Sequence, residues 1–445
     1  MGYAVKSYFR EIQLLNDDRV PLSGPVIFLP NHRSSLMDPI VVASYLKRRV
    51  HFLARGESFK NPMMAGLLGK LNVIPVYRKD KTPDDMYKNE ETFKYCYQLL
   101  EEGGALVIFP EGASQSKPVL LPLKTGSARI ALGAEAKNEF KLGVSLVPVG
   151  INYTNPHHFQ GKLFLNFGRP IKAVDFREAY ENDPVKAVQT LTAHIEDELK
   201  RRIVIVDDSR WQDLTDKVEQ IVQSNSSRFE VEKEFESIKW FMARKDIAGA
   251  IEYFRREKSE ELESLELRVQ QYFSIIELLN LNEGTFNPLG KKQDKRVRFL
   301  PLLLYFSIGL PVFMLGYILH FIPFYLTNIL AKVLVKKTDF IGSILLVLGL
   351  LLFSINGFTL TWLVFHWFQN YLIAIVFFFL LPSFGIFAFQ YNIRLKRWLA
   401  GFRIKSIGNR REDLIKNLSK EKEELLKLFK SAHTDYLNNE LRKAE

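Results

Sequence analysis

Apolar positions follow two different spacings along the first 205 residues. Short apolar runs bounded by turn residues predict buried strands, and longer stretches with an apolar residue every three or four positions predict helices. The predicted strands are 25–30, 50–54, 73–77, 105–109, 144–151 and 163–167. The predicted helices are 39–46, 87–102, 125–136 and 185–202. This alternation predicts an α/β domain over residues 1–206, with a mostly parallel sheet and flanking helices.

The pattern changes after residue 206. Residues 207–297 are highly charged and carry apolar residues at helical spacing, which predicts a charged helical region. Its end, 282–294, contains Gly, Asn and Pro and is expected to be a linker. Residues 394–445 are basic and then mixed in charge, with a leucine stripe that predicts a helical tail. Neither pattern points to a chemical role.

Residues 298–393 are predicted to form a transmembrane region. A helix needs about 20 apolar residues to cross the hydrocarbon layer. Long apolar runs of this kind follow one another here, and they are rare in soluble folds. Four spans are predicted, at 299–319, 320–335, 340–365 and 371–391. The second run is short, and leaving it out gives three spans.

Basic residues on both sides of this region predict its orientation. Five Lys and Arg side chains lie within 291–298, and five more lie within 394–405. Because positively charged flanks stay in the cytoplasm, both ends are expected there, which requires an even number of crossings. The α/β domain and the tail would then face the cytoplasm, at a bacterial inner membrane or the endoplasmic reticulum. Charged residues interrupt the first 15 positions, so a signal peptide is not expected.

Composition narrows the possible classes of protein. The 445 residues carry a net charge of +11 and a mean hydropathy of −0.05, an average over charged segments and an almost uncharged one. A single cysteine, Cys96, excludes a disulfide scaffold and a cysteine-built zinc site. Acidic residues are mixed with the basic ones, and the basic clusters lie beside the apolar spans. A nucleic-acid partner is therefore not expected.

The most informative segment follows the strand at 25–30. It contains Asn31-His32 and, after five intervening residues, Asp38-Pro39. Asp followed by Pro is typical of a helix start, with Asp at the N-cap and Pro at the first helical position. A carboxylate facing an imidazole fixes its tautomer, and the other ring nitrogen can then accept a proton from a hydroxyl. The chain has no G-x-S-x-G nucleophile motif, so direct attack by a substrate hydroxyl is expected.

Three further groups follow predicted strands or precede a helix. Arg78 comes just after the strand at 73–77, Phe109-Pro110-Glu111-Gly112 ends the strand at 105–109, and Lys124 precedes the helix at 125–136. Open α/β sheets bind ligands at the carboxyl ends of their strands. We therefore expect these groups to lie near His32.

These motifs resemble the phospholipid/glycerol acyltransferase family. The resemblance rests on four ordered blocks within about residues 5–205: Asn31-His32…Asp38, Ile74–Arg78, Phe109–Gly112 and Val147-Pro148-Val149. Two features depart from the usual family pattern. The dyad has five intervening residues instead of four, and Ala113-Ser114-Gln115-Ser116 replaces the usual Thr-Arg-Ser. Both resemble the fungal-type glycerol-3-phosphate/dihydroxyacetone-phosphate acyltransferase branch.

The resemblance implies an enzyme that moves a fatty acyl group from acyl-CoA or acyl-carrier protein to glycerol 3-phosphate or dihydroxyacetone phosphate. His32 would be the base and Asp38 its orienting partner, with no metal or cofactor. Glu111 would orient the loop or the acceptor hydroxyl. Candidate substrate-binding residues are Asn31, Arg33, Arg78, Phe109, Pro110, Glu111, Gly112, Ser114 and Lys124. Two alternatives stay open: a lysophospholipid acyltransferase, and a non-catalytic membrane scaffold that uses the helical region for interactions.

Overall fold

The structure is a computed structural model that contains two compact units. It describes residues 2–77, 83–154, 159–226, 233–281, 283, 295–335, 340–410 and 412–444. The first unit is Met1–Ile205 together with Val335–Leu346, and the second is Val206–Leu334 together with Val347–Glu445. A short piece of the predicted transmembrane region therefore belongs to the same unit as the α/β domain.

The first unit is an eight-stranded sheet with helices. Its strands are β1 (Glu11–Leu15), β2 (Val26–Pro30), β3 (His51–Arg55), β4 (Val73–Val76), β5 (Ala105–Val107), β6 (Ser145–Tyr153), β7 (Lys162–Phe167) and β8 (Ile171–Lys172). Its helices are α1 (Gly2–Tyr8), α2 (Met37–Tyr45), α3 (Pro62–Lys70), α4 (Asn89–Glu101), α5 (Gly126–Lys137), α6 (Arg177–Asn182) and α7 (Pro184–Lys200). The strand order is β1-β7-β6-β2-β5-β3-β4, and β8 pairs with β6.

The centre of the sheet is formed by β2 between β5 and β6. All residues of β2 and β6 are buried, because apolar clusters cover both faces of the sheet. This explains why the central strands are continuous apolar runs. All pairs are parallel except those of β6 with β7 and with β8. The predicted α/β class with a mostly parallel sheet is confirmed, and the carboxyl ends of β2, β5 and β6 lie at one edge.

The sequence pattern does not predict five elements of this unit, which are α1, β1, α3, β8 and α6. The edge strand β1 is half-buried throughout and includes Glu11 and Gln13, so it lacks the apolar run of a central strand. Helix α3 connects β3 to β4, and none of its residues is buried. In β1 and α3 the apolar residues alternate or mix with polar and small ones, so neither element forms a continuous apolar run.

The second unit is helical. Its charged part contains α8 (Ser209–Ser226), α9 (Lys233–Glu257) and α10 (Ser259–Leu278), and the tail is α14 (Glu412–Ala444). These four helices share an apolar cluster that includes Leu418 and Leu425 of the tail. Arg268 of α10 pairs with Glu421 and Glu424 of α14, both at 2.9 Å. The tail is therefore part of the helical bundle and not a separate element.

The structure describes three long apolar helices where four membrane spans were predicted, and the number of crossings stays a prediction. The segments 299–319 and 320–335 lie within one unbroken helix, α11 (Lys295–Leu334), which is followed by α12 (Ile341–Phe368) and α13 (Tyr371–Arg410). The described part of the chain thus has three helices long and apolar enough to cross a membrane. The prolines of α11 do not end it, since a helix tolerates proline where neighbouring groups satisfy the freed carbonyls.

Candidate active site

The loop between β2 and α2 brings His32 and Asp38 together. The His32 Nδ1 atom lies 2.8 Å from Asp38 Oδ2, and the side chains are 14% and 0% exposed. The extra residue between them is accommodated in the loop, so the dyad forms despite the longer spacing. The predicted helix start is wrong by two positions. Helix α2 begins at Met37 with Leu36 as its N-cap, and Asp38 lies inside the first turn.

The Asp38 carboxylate accepts hydrogen bonds on both oxygens. The Ser34 N–H donates to Oδ2 at 2.7 Å, and the Tyr153 hydroxyl donates to Oδ1 at 2.6 Å. These two donors and His32 satisfy a carboxylate that has no contact with solvent. Because the carboxylate is an acceptor, the proton of the neutral imidazole lies on Nδ1. The Nε2 atom of His32 is then the nitrogen available for proton transfer.

Tyr153 is a site residue that the sequence analysis missed. It is the last residue of β6, two positions beyond the predicted end of this strand, and it lies 115 positions from Asp38 along the chain. Burial, followed by the nearby Asp38 charge, raises the pKa of Tyr153 well above its usual value. The phenol therefore stays protonated and acts as a permanent donor to the dyad carboxylate.

Glu111 holds the His32 loop against the segment that follows β5. The His32 N–H donates to Oε1 at 2.6 Å, and the Leu121 N–H donates to Oε2 at 2.8 Å. Burial raises the pKa of Glu111 to about 7, although both N–H donors favour the ionised form. With both oxygens engaged by the backbone, Glu111 positions the loop. This arrangement fits the orienting role that the resemblance implied.

The Phe109–Gly112 turn forms one wall of the site. The Phe109 ring stacks on the His32 imidazole with a centroid separation of 4.2 Å. Pro110 is buried and accepts a backbone hydrogen bond from the Lys124 N–H at 2.8 Å. Gly112 has a φ of +67°, and a Cβ there would lie 3.5 Å from Lys124 Cγ. The exposed Lys124 side chain therefore starts next to Gly112, close to the turn that carries Glu111.

The other predicted substrate-binding residues differ in how they are held. The Asn31 side chain accepts from the Ile151 N–H at 2.6 Å and donates to the Ile151 carbonyl at 3.2 Å, which fixes the loop to β6. The buried Arg33 donates from Nη2 to the Ser116 carbonyl at 3.0 Å. Ser114 is half-buried in that same loop. Arg78 lies outside the described residues. Substrate contacts for these residues stay predictions.

A second missed residue, Ser343, completes the start of α2. Its hydroxyl oxygen accepts from the Leu36 and Met37 N–H groups, each at 3.0 Å, and lies 3.4 Å from the Ser34 hydroxyl. Leu36, the N-cap residue, has no side chain that can do this. Ser343 belongs to the first turn of α12, whose start at 341–346 lies in the first unit. A hydroxyl from the predicted transmembrane region thus caps the helix that carries Asp38.

The described residues hold no group of three or more His, Cys, Asp or Glu side chains that could bind a metal ion. What the site does contain is a buried carboxylate, an orienting hydrogen bond and an imidazole with one available nitrogen. Such an arrangement can remove a proton from a hydroxyl. The class of chemistry that it supports is group transfer to an alcohol.

Comparison with known proteins finds a family model and relatives that are similar to this domain. The family model described as Acyltransferase matches residues 11–152, which include His32, Asp38 and Glu111. Glycerol-3-phosphate O-acyltransferase 2 of Saccharomyces cerevisiae is 38% identical over 113 residues, which are 25% of this chain and 15% of the yeast protein. The 1-acyl-sn-glycerol-3-phosphate acyltransferase of Bacillus subtilis is 28% identical over 171 residues, which are 37% of this chain and 76% of that protein.

A solved structure, that of the 1-acyl-sn-glycerophosphate acyltransferase of Thermotoga maritima, has a TM-score of 0.33 and 20% identity, covering 45% of this chain and 74% of that chain. Residues 11–152 match the acyltransferase family model, in agreement with the motifs. The match to the yeast protein spans less than a fifth of that relative's length.

Proposed function

We propose that the chain is a membrane-bound O-acyltransferase of phospholipid biosynthesis. It would transfer a fatty acyl group from acyl-CoA or acyl-carrier protein to a hydroxyl of glycerol 3-phosphate or dihydroxyacetone phosphate. The observation that carries this proposal is the His32–Asp38 dyad, held at the carboxyl edge of the sheet in the matched domain. The yeast relative is a glycerol-3-phosphate O-acyltransferase, which supports this acceptor.

The proposed reaction is a direct transfer. His32 Nε2 accepts the proton of the acceptor hydroxyl while its oxygen attacks the thioester carbonyl. The buried Asp38 carboxylate stabilises the imidazolium that forms, because Nδ1 donates to it. The carbon–sulfur bond then breaks, and the imidazolium returns the proton to the departing thiolate. The products are an ester and a thiol, and His32 is again neutral.

A glycerol phosphate needs cations for its dianionic group, and paired cations hold a phosphate most directly. Lys124 is exposed beside Gly112, on the segment that Glu111 ties to the His32 loop. We therefore assign the phosphate to Lys124 together with Arg78, and keep Arg33 as a further candidate. The guanidinium of Arg33 already donates to a carbonyl of the site, so its first role is to hold the loop.

A second acceptor, lysophosphatidate, is favoured by one observation. The Bacillus subtilis relative is a 1-acyl-sn-glycerol-3-phosphate acyltransferase, and the match spans 76% of its length. Both acceptors present a hydroxyl and a phosphate, so the dyad serves either one. They differ in whether one hydroxyl is already esterified.

Acceptor identity can be tested with purified full-length protein. Radiolabelled acyl-CoA or acyl-carrier protein would be offered with glycerol 3-phosphate, dihydroxyacetone phosphate and lysophosphatidate in separate reactions. Acylation of glycerol 3-phosphate or dihydroxyacetone phosphate at the higher kcat/KM supports the proposal. A preference for lysophosphatidate supports the second acceptor. Acylation of none of them would favour the non-catalytic scaffold.

The membrane assignment is also a proposal. A fatty acyl chain and its glycerolipid product belong in a bilayer, and soluble thioester donors lie in the cytoplasm, so the acyltransferase domain is placed on that side. The basic flank at 291–298 agrees with this orientation. Three crossings would put residue 405 on the opposite side from residue 285, whereas four would put them on the same side. Accessibility labelling of single cysteines at these positions distinguishes the two topologies.

A further inference from the structure

Helix α3 differs from the other connections of the sheet. A helix that joins parallel strands normally covers the sheet with its apolar side. Helix α3 joins the parallel pair β3 and β4, yet none of its nine residues is buried. Within the first unit, α3 contacts mainly β4 and the turn Gly56–Phe59. The helix is thus held in place while its side chains remain outside the core.

The local sequence alone accounts for the formation of α3. The Asn61 side chain accepts from the Met63 and Met64 N–H groups at 2.9 and 3.3 Å, and Pro62 occupies the first helical position. An Asn cap followed by proline is a strong helix start. Helix α3 therefore does not depend on a buried face to define its start.

The large apolar side chains of α3 share one side. At about 100° per residue, the positions of Met63, Met64, Leu67 and Leu68, together with the C-cap residue Leu71, fall within an arc of about 140°. The opposite side carries Ala65, Gly66 and Gly69. Four members of the apolar side are exposed: Met63 (83%), Leu67 (50%), Leu71 (45%) and Met64 (43%). A clustered patch of this kind usually marks an interaction surface.

Cationic residues flank this apolar side. Lys60 and Lys70 lie at the two ends of the helix, Arg55 ends the preceding strand, and all three are exposed. Glu57 is the single acidic residue between positions 55 and 71. Apolar side chains framed by Lys and Arg suit an anionic lipid surface, where the chains enter the acyl boundary and the cations meet the headgroups.

We propose that α3 is an interfacial helix that lies on the bilayer with Met63, Met64, Leu67 and Leu71 inserted. Its nine residues span about 14 Å, too short to cross the membrane, so it lies in the plane of the interface. A bilayer is the favoured partner because the flanks are cationic and the described part of the chain contains three helices long and apolar enough to cross a membrane. The proposal requires membrane attachment and is independent of acyl transfer.

The placement of α3 would bring lipid close to the dyad. Strands β2, β5 and β3 are parallel, so α3 follows β3 at the sheet edge where the His32 loop follows β2. An inserted α3 would set that edge against the bilayer surface. A long acyl chain could then leave the site into lipid without crossing water.

The test uses an environment-sensitive NBD fluorophore on full-length protein. Met63→Cys carries the label, and Val185→Cys is the matched control, because Val185 is also an apolar helical residue with 68% exposure. The native Cys96 is buried and its pKa is raised to about 12, so its thiol stays unreactive. Each protein is reconstituted into phosphatidylcholine vesicles with phosphatidylglycerol, with and without doxyl-labelled lipid.

We expect the emission of the label at position 63 to shift to shorter wavelength and to be quenched by doxyl lipid. The label at position 185 should show neither change. Emission at position 63 that matches position 185 would overturn the proposal. A shift without quenching would also overturn it, since a protein surface would then cover the helix. Because no turnover is measured, these outcomes do not depend on the proposed enzyme activity.

Discussion

Replacing Tyr153 by Phe removes the hydroxyl that donates to the buried Asp38 carboxylate and keeps the aromatic ring. The lost hydrogen bond is 2.6 Å long and joins two fully enclosed groups. A hydrogen bond to a charged group contributes about 1.5–3 kcal/mol, and the retained ring leaves no large cavity. We expect the free energy of unfolding to fall by about that amount. If the Asp38 carboxylate without this donor also shifts, so that misalignment of His32 costs about 1.4 kcal/mol in the transition state, kcat falls about tenfold.

The same substitution should change the pH dependence of the reaction. A carboxylate that loses a donor becomes more basic and stabilises the His32 imidazolium more strongly. More of the base is then protonated at a given pH, so the acid limb of the kcat/KM profile moves to higher pH. The assay is acyl transfer to glycerol 3-phosphate over a series of buffers, with stability measured by urea unfolding in detergent.

Tyr272→Phe is the matched control. The Tyr272 hydroxyl donates to Glu283 Oε2 at 2.5 Å in the helical bundle, so this variant loses the same kind of buried bond away from the dyad. It should lower stability and leave the pH profile unchanged. If Tyr153→Phe also lowers stability without altering kcat or the acid limb, Tyr153 only supports the core, and the reasoning about the dyad is refuted.

Three other substitutions test the surroundings of the dyad. Ser343→Ala removes the acceptor at the start of α2 and should cost about 1 kcal/mol of stability and lower kcat, whereas Ser343→Thr should restore both in thermal unfolding and turnover assays. Gly112→Ala places a Cβ at a φ of +67° and should reduce the free energy of urea unfolding by about 1–2 kcal/mol. Glu111→Gln removes a group whose pKa folding raises from 4.5 to about 7. The folded protein binds this proton more tightly than the unfolded chain does. The free energy of unfolding of the wild type should therefore fall, relative to that of the Gln variant, by about 3 kcal/mol as pH rises from 4.5 to about 7.

Each of these expectations has a contradicting outcome. Full activity in Ser343→Ala, or no rescue by Thr, would show that the hydroxyl does not position α2. An unchanged unfolding curve for Gly112→Ala would show that the turn relaxes easily. Parallel pH–stability curves for wild type and Glu111→Gln would show that Glu111 keeps the same affinity for its proton in both states.

The predictable part of the site consists of groups that lie in short local motifs. His32, Asp38 and Glu111 follow central strands, where an apolar run and a polar loop leave a clear signal. Tyr153 and Ser343 reach the same loop from 115 and more than 300 positions away. A tyrosine at a strand end and a serine at the start of an apolar helix look ordinary in sequence, so only the fold shows what they contact.

The predictable part of the fold follows the same rule. The central strands are buried on both faces and appear as apolar runs, whereas β1 is half-buried and α3 has no buried residue, so neither forms such a run. The expected break within α11 rested on the basic flanks, which favour an even number of crossings. Each of the three prolines in α11 removes one backbone hydrogen bond, and the helix continues through them.

The most direct test of the proposed function compares wild-type protein with His32→Ala in acyl transfer to glycerol 3-phosphate. The His32 side chain is 14% exposed in a loop, so its removal should leave the fold intact, as circular dichroism can verify. A positioned base typically contributes 10²–10⁴-fold, and the account predicts that kcat falls by at least about 10² in the variant. A folded His32→Ala protein that transfers acyl groups at nearly the wild-type rate would contradict it.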